Sequence, residues 1–152
     1  DHRLGLDKFE YNPSRKYHVP LIIYSPLLTR TKTMKGVVSH YDITPSIESF
    51  LKNNYDFAVN SVCHWIGSAF DTSAQFHCCK KQAFMHNNRV VSEWIHDTLF
   101  VAFNSLFSVS DGMELHEIQN PELLDKMHKE LESYQVLSKY AVNQEHLLPA
   151  KN

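Results

Sequence analysis

An α/β fold is what this sequence predicts, and three observations carry the expectation. Residues 19–24 form a short, nearly uninterrupted apolar run bracketed by Pro20 and Pro26, the pattern of a strand buried on both faces of a helix-covered sheet. Ile43, Ile47, Phe50 and Leu51 recur at the spacing of one helix face. From Val90 onward, short aromatic and branched runs alternate with turn residues, which predicts a small antiparallel meander.

Taken in chain order, the first 35 or so residues read as loop, strand, loop. Pro20 must sit at the start of the strand, because a proline has no N–H to give a central ladder. Asp42 and Thr44 then offer cap oxygens, and Pro45 suits a first helical turn where its missing N–H has no partner to lose. That helix is expected to close near Asn53 and Asn54. Residues 56–89, with Gly67, Asp71 and the cysteines, read mainly as loop and form the natural seam, dividing the chain into residues 1–60 and 61–152. Strands are expected at 90–95, 99–103, 106–109 and 113–118, punctuated by Asn104-Ser105 and by Asp111-Gly112. The second pair is a strong hairpin signal, since glycine tolerates the positive φ of a tight turn. Asn120, Pro121 and Glu122 supply the cap, first-turn proline and favourable charge of a second helix. Leu124, Met127, Leu131 and Tyr134 line one side of it, and a polar tail containing Pro149 follows.

Bulk properties exclude several classes. The 152 residues are 43% hydrophobic and 21% charged, a globular composition long enough for one ordinary core. With 15 Lys and Arg against 17 Asp and Glu, the net charge of −2 offers no counterpart to a phosphate backbone, so no nucleic-acid partner is expected. No run approaches the roughly 18 apolar residues of a membrane helix, and Asp1-His2-Arg3 is no secretory start; the chain itself is expected to be soluble. The glycine signatures of nucleotide loops and serine hydrolases are missing.

Three cysteines are too few and too odd in number for a disulfide framework. Cys63-His64 together with His77-Cys78-Cys79 sketch a zinc site, but neither half has the C-x-x-C spacing that aims two thiolates at one metal, so ordinary buried or loop residues are the reading. A disulfide from Cys63 to Cys78 or Cys79 is the alternative for an extracytoplasmic parent. His40 reads as a structural residue at a helix start, and the remaining histidines lack H-x-x-x-H spacing.

Two groups carry chemistry. Asp1 and His2 set a hard carboxylate beside an imidazole, a donor pair suited to zinc, manganese, magnesium or calcium. They open the sequence with nothing before them, so the expectation is a chain that begins partway through a larger protein and cuts its active site. As an untethered terminus the pair is expected to hold no metal in this chain alone, and to ligate it in an intact parent. Arg15 and His18, with Lys16 between them, form a basic group just before residues 19–24, where a guanidinium can grip a sulfate or phosphate with two parallel bonds.

Asp1-His2, then HVPLIIYSPLL at 18–28 and VVSHYDITPSIESFL at 37–51, in that order, resemble the C-terminal part of the sulfatase-like branch of the alkaline phosphatase superfamily. That branch includes arylsulfatases, lipoteichoic acid synthases and phosphoglycerol or phosphoethanolamine transferases. The resemblance implies the C-terminal portion of an alkaline-phosphatase-like α/β sandwich, with residues 1–60 the end of the catalytic domain and 61–152 a C-terminal subdomain. It also implies a divalent metal held in part by Asp1 and His2, an upstream nucleophile absent from this chain, a sulfate or phosphate ester substrate, and an extracytoplasmic parent anchored in a membrane. Arg3 stands where such pairs usually carry glycine. Tyr11-Asn12-Pro13-Ser14-Arg15 imitates the C-x-P-S-R motif of formylglycine formation, but Tyr11 cannot be converted, and the stretch reads as a loop. The rival expectation is a non-catalytic α/β module that binds a partner or substrate. Without neighbouring strands, residues 19–24 are expected to pair with a second copy of the chain or to be covered by its own helices and meander.

Overall fold

The structure, a computed structural model, describes residues 12–58, 66–85 and 90–143. Asp1 and His2, Cys63 and His64, and the seam at 60/61 lie outside the described residues. The chain is mixed α/β: the described residues form a five-stranded antiparallel sheet and two α-helices. It falls into two compact units, one running from Ile22 to Lys80 and the other made of the chain before Ile22 and from Lys81 onward.

The second of these units is built on a meander whose strand order follows the sequence: β1 Lys81–Met85, β2 Val91–His96, β3 Leu99–Ala102, β4 Ser105–Ser110 and β5 Glu114–Ile118. Each strand pairs antiparallel with the next, with Trp94 opposite Val101, Ile95 opposite Phe100 and Val109 opposite Leu115. A register shift at Phe84/Met85 bends the edge strand β1. Strand β1 falls inside the stretch read from sequence as loop; its Lys81-Gln82-Ala83-Phe84-Met85 lacks the β-branched residues that mark a strand. The Asp111-Gly112 turn forms as expected, with Gly112 at φ 73°.

Alternation along the strands gives the sheet two faces. Trp94, Val101 and Leu106 point to helix α2, Pro121–Asn143, and bury with its Met127 and Leu131; Leu124, Tyr134 and Ile118 flank them. The helix starts where its cap places it, the Leu123 N–H donating to Asn120 Oδ1 at 3.0 Å. It runs further than its apolar stripe, into the stretch read as a polar tail. On the opposite face Phe84 stacks between Phe100 and Tyr17, with ring centroids 5.8 and 4.6 Å away. Tyr17 follows a 3-10 turn at Pro13–Lys16, capped by Asn12, whose Oδ1 accepts from the Ser14 N–H. The buried Ser14 hydroxyl lies 2.6 Å from both Asn12 Oδ1 and the Met113 carbonyl, its single proton shared between them. The Tyr17 hydroxyl donates to the buried Glu93 carboxylate, and burial first, then that carboxylate, pushes the phenol well above its ordinary range.

The Ile22–Lys80 unit contains helix α1, Ile43–Tyr55, entered through a 3-10 turn at His40–Asp42 and closed by Asp56 in the left-handed region. Residues 19–24 form no strand. Ile22 is 85% and Tyr24 91% exposed, so the expectation of a strand buried on both faces is corrected. Apolar character makes a strand only where a sheet accepts it, and residues 19–24 belong to no described sheet. Among the described residues of this unit the buried apolar ones are Pro45 and Cys78. No helix among the described residues is long and apolar enough to cross a membrane.

Candidate metal centre

Within the Ile22–Lys80 unit, polar anchors do the work a core does elsewhere. Asp42 stands at the N-cap position of α1, yet its carboxylate makes no cap bond to the helix. It accepts instead from the Ser39 N–H and the Ser68 N–H, each at 2.8 Å, and from Lys80 Nζ at 2.9 Å. Burial pushes its pKa up, but the Ser68 N–H, Lys80 and Ser39 N–H bonds together outweigh that, and the group sits below its ordinary value. Ser46 completes the clamp, donating to the Asp42 carbonyl at 2.6 Å and accepting from the Phe70 N–H at 2.8 Å. Gly67 lies so close to Tyr41 that a Cβ there would stand 2.1 Å from the Tyr41 carbonyl oxygen. Sequence reading found Asp42 as a cap; its long-range partners, 26 and 38 positions away, carry no local signal.

These anchors hold a loop that brings Asp71, His77 and Cys79 together, with one donor atom from each within 4.8 Å of the others. Two backbone ties fix the loop against residues 35–37: Lys35 N–H to the Ser73 carbonyl at 2.9 Å and Val37 N–H to the His77 carbonyl at 2.8 Å. Gly36 makes the approach possible, since a Cβ there would lie 2.6 Å from Asp71 Cγ. Asp71 Oδ1 accepts from the Ser73 N–H at 2.9 Å, and Oδ2 faces His77 Nδ1 at 2.7 Å. Bonds from the Ser73 side chain, from His77 and from the Ser73 N–H hold the Asp71 carboxyl down to about 2. His77 and Cys79 are exposed and Asp71 is only 16% exposed, so a carboxylate fixed from behind faces two accessible donors.

Of the residues in the zinc sketch set aside in the sequence, the structure describes His77, Cys78 and Cys79. His77 and Cys79 belong to a donor group with Asp71; Cys78 is buried and outside it, and Cys63 and His64 lie outside the described residues. Arg15 ion-pairs with Glu114 at 3.0 Å, and His18 is exposed, its N–H bonded to the Ser14 carbonyl at 3.1 Å. His40 opens the 3-10 turn before α1 and is exposed. Compared with known proteins, the chain matches no family model, no curated protein and no solved structure.

Proposed function

We propose that this chain is the C-terminal part of a metal-dependent, sulfatase-like hydrolase or transferase acting on sulfate or phosphate esters outside the cytoplasm, its fold the end of an alkaline-phosphatase-like sandwich. The observation that carries the reading is the ordered pair of segments 18–28 and 37–51 behind Asp1-His2. Their burial supports it: Ile22, Ile23, Tyr24 and Leu27, and Ile47 and Phe50 of α1, are all exposed, the pattern of an apolar surface that a larger catalytic domain covers. Asp1 and His2 offer the carboxylate and imidazole donors that such a metal takes. When bound, the ion would lower the pKa of the nucleophile and stabilise charge on the transferring group. Arg15 and His18 are the anion contacts in this reading; Arg15 would serve a substrate only by exchanging Glu114 for it.

The test uses the full-length protein with a nitrophenyl sulfate and a nitrophenyl phosphate. Asp1→Ala and His2→Ala each lower turnover by orders of magnitude while the circular dichroism spectrum is retained, because a catalytic metal contributes several kcal/mol. Near-normal turnover with metal still bound overturns the assignment. So does turnover by the 152-residue chain on its own.

A further inference from the structure

We propose that Asp71, His77 and Cys79 form a second metal site, separate from Asp1-His2, that takes a divalent transition metal of the zinc class through carboxylate, imidazole and thiolate and leaves the fourth position open to solvent.

Donor chemistry selects the class of ion. Calcium and magnesium take oxygen ligands, whereas one sulfur, one nitrogen and one oxygen suit zinc and its borderline neighbours. Geometry comes next. With bonds of about 2.0–2.3 Å, tetrahedral ligands lie roughly 3.5 Å apart. The three donors here already fall within 4.8 Å of one another, so closing on an ion asks for about an ångström of side-chain movement, within the reach of rotamer adjustment at exposed positions. The backbone need not move, because the 35–37 segment ties down Ser73 and His77 on either side of the gap.

The Asp71 carboxylate is also supported as metal ligands characteristically are. The Ser73 N–H holds one oxygen, which orients the other toward His77. Without an ion, that second oxygen meets His77 Nδ1 at 2.7 Å. On binding, this contact is exchanged for metal: a neutral His77 moves its proton to Nε2 and presents the Nδ1 lone pair, and Cys79 releases its thiol proton to solvent. Metal uptake therefore liberates one proton when His77 starts neutral and two when it starts charged. Among the described residues no fourth donor joins these three, and three protein ligands with an exposed fourth position describe an open site rather than a closed structural one.

The proposal does not depend on the sulfatase-like reading, and the experiment keeps the two apart. The 152-residue chain, reduced and carrying Asp1→Ala with His2→Ala, is titrated with zinc alone and with cobalt(II) alone. One equivalent of metal is expected, with a sulfur-to-cobalt charge-transfer band. Cys79→Ser abolishes the band; His77→Gln and Asp71→Asn each weaken binding by at least about 100-fold, since loss of a direct ligand should cost no less than the 10–100-fold typical of the groups that merely support one. Cys63→Ser and Cys78→Ala leave both readouts unchanged. Amide spectra showing Val37 and Lys35 still protected confirm that the variants keep the loop. Absence of stoichiometric binding overturns the proposal, and so does binding that survives Cys79→Ser but fails with Cys63→Ser, the arrangement sketched from sequence.

Discussion

Asp42→Asn tests whether the Ile22–Lys80 unit is held by a polar hub. The aspartate is 1% exposed and accepts two backbone N–H bonds and a lysine ammonium that is itself only 12% exposed. Removing one member of a buried pair typically costs about 3–5 kcal/mol, because the other charge is left without its counterion. Asparagine retains one carbonyl acceptor, and Lys80 keeps its bond to Ser68 Oγ at 2.8 Å, so the lower end, about 3 kcal/mol, applies. Since each 1.4 kcal/mol is a factor of ten, amide exchange at Ser39, Ser68 and Phe70 should accelerate on the order of 100-fold or reach the unprotected rate. The amides of Phe100 and Val101 in β3 serve as the internal reference. Lys80→Met in the same chain should recover part of the loss, since an apolar pair leaves no orphan charge. The pH dependence has a definite sign: with its folded pKa below the ordinary 3.8, Asp42 stabilises fully above that value and its contribution is lost as pH falls through the folded pKa. Exchange at Ser68 within threefold of the parent chain, or additive effects of the two substitutions, would refute the hub.

The sheet unit supplies three further tests. Met127→Ala, at a side chain 1% exposed between α2 and the sheet, should cost about 3 kcal/mol, read as a lower urea midpoint from Trp94 emission in a Trp65→Phe background; a loss under 1 kcal/mol would mean that α2 is not the lid of this core. Asn120→Ala removes the cap bond to Leu123 and should cost about 1 kcal/mol in the same assay. Tyr17→Phe takes a hydroxyl donor from buried Glu93 and should cost about 1–3 kcal/mol; an unchanged midpoint would show that the 12–17 segment does not clamp the sheet.

Elements whose signals are local were legible in the sequence. Asp111-Gly112 specified its turn, and Asn120-Pro121 opened α2 with Met127 and Leu131 on the buried side. Helix α1 lay where Pro45 and the 43–51 spacing put it, ending one or two residues late. What failed depends on partners. Residues 19–24 are apolar enough for a central strand, but strandhood is conferred by neighbours. The same limit applies to the candidate metal centre: His77 and Cys79 were noticed for their chemistry, whereas Asp71 joins them only because Gly36 lets a backbone 35 residues away come close. Asp42, read as a cap, proved to be a long-range anchor for the same reason.

That dependence on partners leads to the last expectation, concerning the chain in solution. Leu21, Ile22, Ile23 and Tyr24 are exposed along a stretch outside any helix or strand, bounded by Pro20, which has no N–H to donate, and by a turn at Pro26 and Leu27 in which the Leu28 N–H donates to the Ser25 carbonyl at 3.0 Å. An apolar extended segment with unpaired N–H and C=O groups is a template for another strand, and burying even Ile22 and Ile23 across a pair of copies removes two large side chains per chain from water, at about 1.5–3 kcal/mol each when complete. Against this stand the entropy of association and the interruption of the ladder by Pro26, so a weak, concentration-dependent dimer is expected rather than a tight one. Sedimentation velocity should show the average mass rising with concentration, and Ile22→Lys with Ile23→Lys should hold the chain monomeric. A clean monomer at high concentration, with the Ile22 and Ile23 amides exchanging at the unprotected rate, would refute self-pairing and leave the stretch extended and solvated.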